Sequence, residues 1–499
     1  MDHLALPEYP VAPHPEIDYL CHAEFNLPIG PLLDYPSQRG FDTDSIMLGD
    51  FSNIDGWTME GLIQEWLFFG LLSKILEVPG IIIQHREFIK TGQFNQEVLS
   101  TLPLLNYLRE WKAREEGSLE ATRQEHASFI EEILQSATLI VTRLFRAASD
   151  YDPLGPAGFA IIAMCETLHH AANNIYGTRI IRRENFWPRS KWPRRRMLSS
   201  GWCPNRVQML HSLLTSSAMY YTSALEMKDS REGRHALCSE YKCGVHHLDR
   251  DKYQPNHTVQ GCDCDSGGHL GPQPGSLTSA LANGGIPLIR LVERSRNKFE
   301  IETIETTFAN RRKYVALSHV WSDGRGNLQA NALPTCQLRH LQSLVSSISE
   351  EEDGPPFFWL DTLCVPITGD YRRIAIGRMR RTYECATKVL VLDSELEVAS
   401  AETSPVELLM RITCCGWMRR LWTLQEGALA ETLFFQFKER AVMIGDLASK
   451  NIQNNDLQLS NPCAVDSMRC LDHFQQFKTC GSNRVLELIE ALQWRNTST

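Results

Sequence analysis

From Tyr314 onward the chain alternates short apolar runs with amphipathic ones, and this alternation constrains the fold more than any other feature. YVALSHVW (314–321) reads as a strand running into the turn-forming loop SDGRGN (322–327). FFWLD (357–361) reads as a second strand, and KVLVLD (388–393) as a third, apolar enough to be buried on both faces. Between the last two lies a helical pattern. Ile376, Met379, Tyr383 and Ala386 form its inward stripe, and Arg372, Arg373, Arg378, Arg380 and Arg381 its polar side. Ser404-Pro405-Val406-Glu407 combines an N-cap serine, a proline at the first helical position and a glutamate at the third, the signature of a capping box. After Gly416 a further helix places Trp422, Gln425, Glu426 and Leu429 on one face, so Glu426 is expected among large apolar side chains. Strands alternating with helices imply an α/β domain with a parallel sheet, here spanning 285–445.

The rest of the 499 residues is organised differently. Residues 1–55 are rich in Pro, Asp and Gly without sustained periodicity and read as an irregular leader. Residues 56–230 read as a helical domain, clearest where Ile130, Ile133, Leu134, Ala137, Ile140, Val141 and Leu144 form one stripe. The most apolar stretch, 62–83, is interrupted by Glu65, Lys74 and Glu77 and ends in Ile81-Ile82-Ile83. It predicts a buried helix followed by a strand, not a membrane span. GSLTSALANGG (275–285) reads as a small-residue linker, followed by the strands IPLIRLV (286–292) and KFEIETI (298–304). Residues 446–499 are expected to form a C-terminal helical extension.

The N-terminus MDHLALPEYP lacks a basic region followed by an apolar run, so a cytoplasmic, reducing location is expected. There the 15 cysteines are thiols or metal ligands rather than disulfides. A net charge of −10 argues against a general nucleic-acid binder. One basic segment stands apart: Arg182, Arg183, Arg189, Lys191, Arg194, Arg195 and Arg196 among Trp187 and Trp192. It reads either as a solvated loop or as a site for a phosphate-rich ligand.

Residues 231–270 hold His235, Cys238, Cys243, His257, Cys262 and Cys264. Zinc takes four soft or borderline ligands in a tetrahedron, and ligands paired on glycine-bearing turns supply them at little chain entropy. The ligand set expected is Cys238, Cys243, His257 and Cys262, with Cys264 the rival of Cys262. Such a closed site would be structural. The other reading is a group of unligated thiols.

The strings YVALSHVWSDG, FFWLDTLCVP, RRIAIGRMRRTYECATKVLVLD and GWMRRLWTLQEGALA, in this order and spacing, resemble the heterokaryon-incompatibility (HET) domain of filamentous fungi. The usual family pattern has tyrosine at the place of His319, glycine at that of Ser322, and an Asn-Gln pair at that of Pro366-Ile367. These departures look like the mark of a subgroup, because Ser318, Trp321, Asp361, Cys364, Arg420, Trp422 and Glu426 all match. In similar proteins a WR-x-TS stretch precedes an acidic motif and a further region, so the ending ALQWRNTST looks like that of a truncated or short gene product. HET domains in turn resemble TIR domains. The expected fold class is therefore α/β, a TIR-like parallel sheet flanked by helices, preceded by a mostly α-helical domain and the small Cys/His-rich segment.

The resemblance implies a protein that triggers growth arrest or programmed cell death in non-self recognition. LWTLQEGALA is similar to the block in which enzymatic TIR domains place their catalytic glutamate, which carries that role to Glu426. NAD is then the expected substrate, cleaved at its N-glycosidic bond, and zinc the expected structural cofactor. In an open parallel α/β sheet, ligands bind beyond the carboxyl ends of the strands. Ser318, His319, Trp321 and Asp361 fall at such ends, and with Trp422 and Arg325 of the SDGRGN loop they are the expected cofactor-binding residues. The alternative is a non-enzymatic, death-inducing module that self-associates or docks another incompatibility or signalling protein. In that reading Glu426 pairs with Arg419 or Arg420 to lock its helix, Asp361 caps a turn, and the tryptophans are core.

Overall fold

The structure is a computed structural model. It describes residues 1–21, 30–147, 155–177, 187–226, 234–245, 251, 253–258, 261–262, 264, 268–307, 310–350, 354–453, 455–468 and 474. The chain divides into two units. Unit 1 is Met1–Glu226 with Asn451–Ser467, and unit 2 is Met227–Lys450 with Met468–Thr499.

Unit 1 is helical, as the sequence predicts. The helix Glu120–Ala147 buries the stripe from Ile130 to Leu144, with Ile133 half-buried. Gly56–Ile63, the wide-turned Gln64–Gly70 and Leu71–Glu77 run on as one rod, and Trp66, Leu67, Phe68 and Phe69 are fully buried within it. Ile81-Ile82-Ile83 is not a strand. Gly80 turns the chain at φ 80°, and among the described residues no strand pairs with this segment; Ile81 and Ile83 are buried while Ile82 faces solvent. The leader contributes Met1, Leu4, Ile17, Tyr35 and Ile46 to the core as single anchors rather than as a periodic stripe. The C-terminal extension expected over 446–499 does not stay together. Residues 451–467 join unit 1, where Asp456 pairs with Arg109 at 2.7 Å and Asp466 accepts from Thr215 N at 2.9 Å. Of the basic segment, Arg182 and Arg183 lie outside the described residues. Arg196 stacks over the rings of Trp192 and Tyr220, and Arg189 donates to the carbonyls of Ser212 and Leu214. These two cations serve packing.

Unit 2 is built on a seven-stranded sheet. Its strands are β1 (Ile286–Ser295), β2 (Lys298–Thr306), β3 (Val315–His319), β4 (Phe358–Trp359), β5 (Lys388–Leu392), β6 (Leu433–Gln436) and β7 (Ala441–Met443), standing in the order β7-β6-β5-β3-β4-β1-β2. Four adjacent strands, β6, β5, β3 and β4, are parallel. The parallel sheet expected is mixed, its antiparallel strands lying at the edges. β1 and β2 form a hairpin whose turn contains Asn297 at φ 62°, and β7 folds back on β6, so both edges are antiparallel. Helices α1 (Pro274–Ala282), α2 (Thr335–Ile348), α3 (Asp361–Cys364), α4 (Asp370–Gly377), α5 (Met379–Cys385), α6 (Pro405–Cys414) and α7 (Leu421–Leu429) accompany the sheet. α1 replaces the linker expected over 275–285. Leu277, Ala280 and Leu281 have helical spacing and are buried, and the chain leaves through Gly284 at φ 81°. The single helix expected after Pro366 is split between Gly377 and Met379, which leaves Ile376 exposed rather than on a buried stripe.

Taken in chain order, the parallel strands run first β3, then outward to β4, then back across β3 to β5 and on to β6. The direction of travel reverses between β3 and β5. In doubly wound sheets that reversal opens a crevice beyond the carboxyl ends of the two strands, because the connections leave on opposite faces.

Candidate functional site

β3 ends in Ser318-His319, and both side chains are buried. Successive residues on a strand point to opposite faces, so each serves a different partner. Ser318 Oγ accepts from Trp417 Nε1 at 2.6 Å and donates its own proton to Glu426 Oε2. His319 Nε2 donates to Asp361 Oδ1 at 2.8 Å. Trp321 Nε1 takes the other carboxylate oxygen, Oδ2, at 2.7 Å, and Thr362 N donates to Oδ1 at 2.6 Å. Arg420 closes the arrangement by donating to the His319 carbonyl. Asp361 opens α3 just past β4, and Glu426 sits in the second turn of α7, buried although Trp422 on the same stripe is exposed and Leu429 half-buried.

The two carboxyls are driven apart. Burial alone would raise Asp361, but the neighbouring His319, the hydrogen bonds from His319 and Trp321 and the charge of Arg420 outweigh it. The carboxyl is held well below the usual carboxylate range. At Glu426 burial wins over the charge of Arg420 and the Ser318 hydroxyl, and the carboxyl is raised. The phenol of Tyr383, itself buried beside Glu426, is raised far above its ordinary value. Two carboxyls with opposite shifts on one cavity are the pattern of a site that divides its roles between them.

Both carboxyls line a cavity of about 380 Å³, within the range of small-molecule pockets. Its walls include Trp321, Asn331, Arg372, Ile376, Arg420 and Trp422. Trp422 is 48% exposed at the mouth, whereas Glu426 is 6% exposed at the floor.

Residues 314–409 match the family model of the heterokaryon incompatibility protein (HET). The chain carries a HET domain. No curated protein and no solved structure matches the chain. A HET domain implies a function of the heterokaryon-incompatibility type. The matched segment holds Ser318, His319, Trp321, Arg325 and Asp361, and the residues that complete the cavity of the HET domain, Arg420, Trp422 and Glu426, follow it in the chain.

Of the site residues read from the sequence, Trp321, Asp361, Trp422 and Glu426 line the cavity of the HET domain. Ser318 and His319 lie behind its wall and hold Glu426 and Asp361. Arg325 is not at the cavity. Its guanidinium is ion-paired with Glu397 and lies 3.7 Å from Asp323, while the next backbone N–H, that of Gly326, donates to Tyr253 Oη at 2.8 Å. A loop whose cation and amide are already committed is not a phosphate cradle. Arg372 and Trp417 were not singled out as site residues, although both lie in the four family blocks.

The Cys/His residues do not form the single ligand set expected. His235, Cys238 and Cys243 gather in one place, with Cys238 Sγ 3.5 Å from His235 Nδ1 and 3.7 Å from Cys243 Sγ. His257, Cys262 and Cys264 gather in another, joined by Cys336 from the start of α2. The fold separates residues that are neighbours in sequence because the two turns close on different parts of the chain. Among the described residues no helix is long and apolar enough to cross a membrane.

Proposed function

We propose that the HET domain is a TIR-like NAD glycohydrolase acting in the cytoplasm, and that loss of the cofactor or its product triggers growth arrest or cell death on non-self contact. The observation that carries this reading is the buried Glu426 carboxyl on the floor of a cavity lined by the residues that follow β3 and β4, beyond the carboxyl ends of those strands. Nicotinamide leaves a cationic ring as a neutral group, so its departure needs no general acid. The transition state needs support for an oxocarbenium-like ribose. A fixed carboxylate that accepts from the ribose hydroxyls supplies it, and Ser318, held in turn by Trp417, fixes the carboxyl. The raised Glu426 carboxyl fits a cationic substrate, because a pyridinium beside it favours the ionised form. Arg372 and Arg420 on the wall offer charge to a diphosphate, and Trp422, exposed at the mouth, offers a ring face.

The test is NAD consumption by the full chain at high concentration, wild type beside Glu426→Gln. Nicotinamide release by the wild type, lost in the variant, supports the reading. A folded wild type that leaves NAD untouched sinks it. One observation favours the interaction module instead: Tyr371, Ile374, Ile376 and Trp422 are all exposed, and Ile376 and Trp422 are part of the cavity wall. Such an apolar rim suits self-association or docking of another incompatibility protein.

A further inference from the structure

The ligand atoms of His257, Cys262, Cys264 and Cys336 all lie within 4.8 Å of one another. Cys262 Sγ and Cys336 Sγ are 3.7 Å apart, and His257 Nδ1 is 3.0 Å from the first and 3.6 Å from the second. Zinc–sulfur and zinc–nitrogen bonds of ordinary length place tetrahedral ligands ~3.8 Å apart for two sulfurs and ~3.5 Å for sulfur and nitrogen. The group therefore has the size of one tetrahedral zinc. Its sulfurs also receive backbone donors: Thr258 N to Cys336 Sγ at 3.4 Å, and Cys336 N to Cys264 Sγ at 3.1 Å. N–H donors aimed at sulfur stabilise thiolate, the form that binds metal.

The chain on either side shows what such a site would hold. The segment before it grips the loop after β3. Tyr253 Oη donates to the Trp321 carbonyl at 2.7 Å, its ring stacks on Trp321, and Asn256 N donates to the Gly324 carbonyl at 2.8 Å. The approach is close enough to demand glycine. A Cβ at Gly324 would lie 2.2 Å from the Asn256 side chain, and one at Gly326 2.6 Å from the Trp321 ring. Just beyond the group, His269-Leu270 pairs with Leu333-Pro334, immediately before Cys336.

We infer that His257, Cys262, Cys264 and Cys336 form a structural zinc site that ties the 253–264 segment to the start of α2 and so fixes the Trp321 wall of the cavity. Four protein ligands close the metal to water, so the site is a clip and not a catalyst. It stands whether or not the domain cleaves NAD.

The experiment is metal analysis of the purified full chain, wild type beside Cys336→Ser and Cys385→Ser, with hydrogen exchange read over 321–327. Cys336→Ser should lose one equivalent of zinc and raise exchange over 321–327 at least tenfold, while Cys385→Ser changes neither. Wild-type zinc content in Cys336→Ser, or a Cys262–Cys336 disulfide in the protein kept reduced, would overturn the site. Zinc lost without faster exchange would overturn its hold on the loop. Should Cys336→Ser not fold, cobalt is titrated into chelated Cys238→Ser/Cys243→Ser protein. A tetrahedral, thiolate-bearing spectrum is expected there, and its absence would overturn the site equally.

Discussion

Each unit buries a glutamate, and the two are held in opposite ways. In unit 1 Glu166 accepts from Ser216 N on one oxygen, and from Ser217 N and Ser217 Oγ on the other, at 2.6–2.8 Å. All three donors belong to the first turn of the helix Ser216–Ala224, so the carboxyl caps that helix from a distance. In unit 2 Glu426 is fixed through Ser318 and forms part of a cavity wall. Burial raises both. The difference lies in what surrounds the group: donors saturating both oxygens make a structural carboxyl, and open volume beside a fixed one leaves room for chemistry.

The sharpest way to break this contrast is to truncate both. Glu426→Ala should reduce NAD cleavage about 10²–10³-fold, measured as nicotinamide release, with unit 2 still folded. An unfolded product would move Glu426 into the structural class. Glu166→Ala should leave the cavity intact but strand three buried donors. A loss of about 3 kcal/mol in the urea transition of unit 1 is expected, and an unchanged midpoint would refute the capping role.

A subtler measurement uses pH. Burial pushes the Glu166 carboxyl up to about 7, against the pull of the serine donors. The folded state then holds the proton more tightly than the unfolded chain does. That contribution is complete below the ordinary carboxylate range and is lost as pH rises through about 7. The stability of unit 1 should therefore fall between pH 5 and 8, by at most roughly 3 kcal/mol, and Glu166→Gln should flatten the profile. The smallest effect is expected at the rim. Trp422→Ala should change stability by less than about 0.5 kcal/mol while weakening NAD binding several-fold, read as a rise in KM with kcat kept.

The contrast also shows what a sequence can disclose. The burial of Glu426 was expected from a stripe it shares with Trp422 and Leu429, but Trp422 is exposed and Leu429 half-buried, and the buried face of α7 is set by Thr423, Leu424, Gly427 and Ala428. That of Glu166 was not legible, since it interrupts the apolar run Phe159–Leu168 and its donors lie 50 residues on. Local grammar carried well: Ser404 caps α6 by accepting from Glu407 N, although the Glu407 carboxyl turns to Arg411 instead of closing a full capping box. The inner strands were legible from their apolar runs, but the antiparallel edges were not, because periodicity does not encode which neighbour a strand meets. Cys336 carried no signal at all. It stands 72 residues from Cys264, without a paired thiol nearby, and only the fold brings it to the group.

Residues 451–467 complete unit 1 after the chain has run through 227–450. As the polypeptide emerges from the ribosome, the first unit therefore waits unfinished. Asp466 and Asp456, the partners of Thr215 and Arg109, are made only after the whole HET sheet. A chain interrupted between 445 and 451 would hold every strand of that sheet yet leave the helical unit open, so synthesis itself orders which half can mature first.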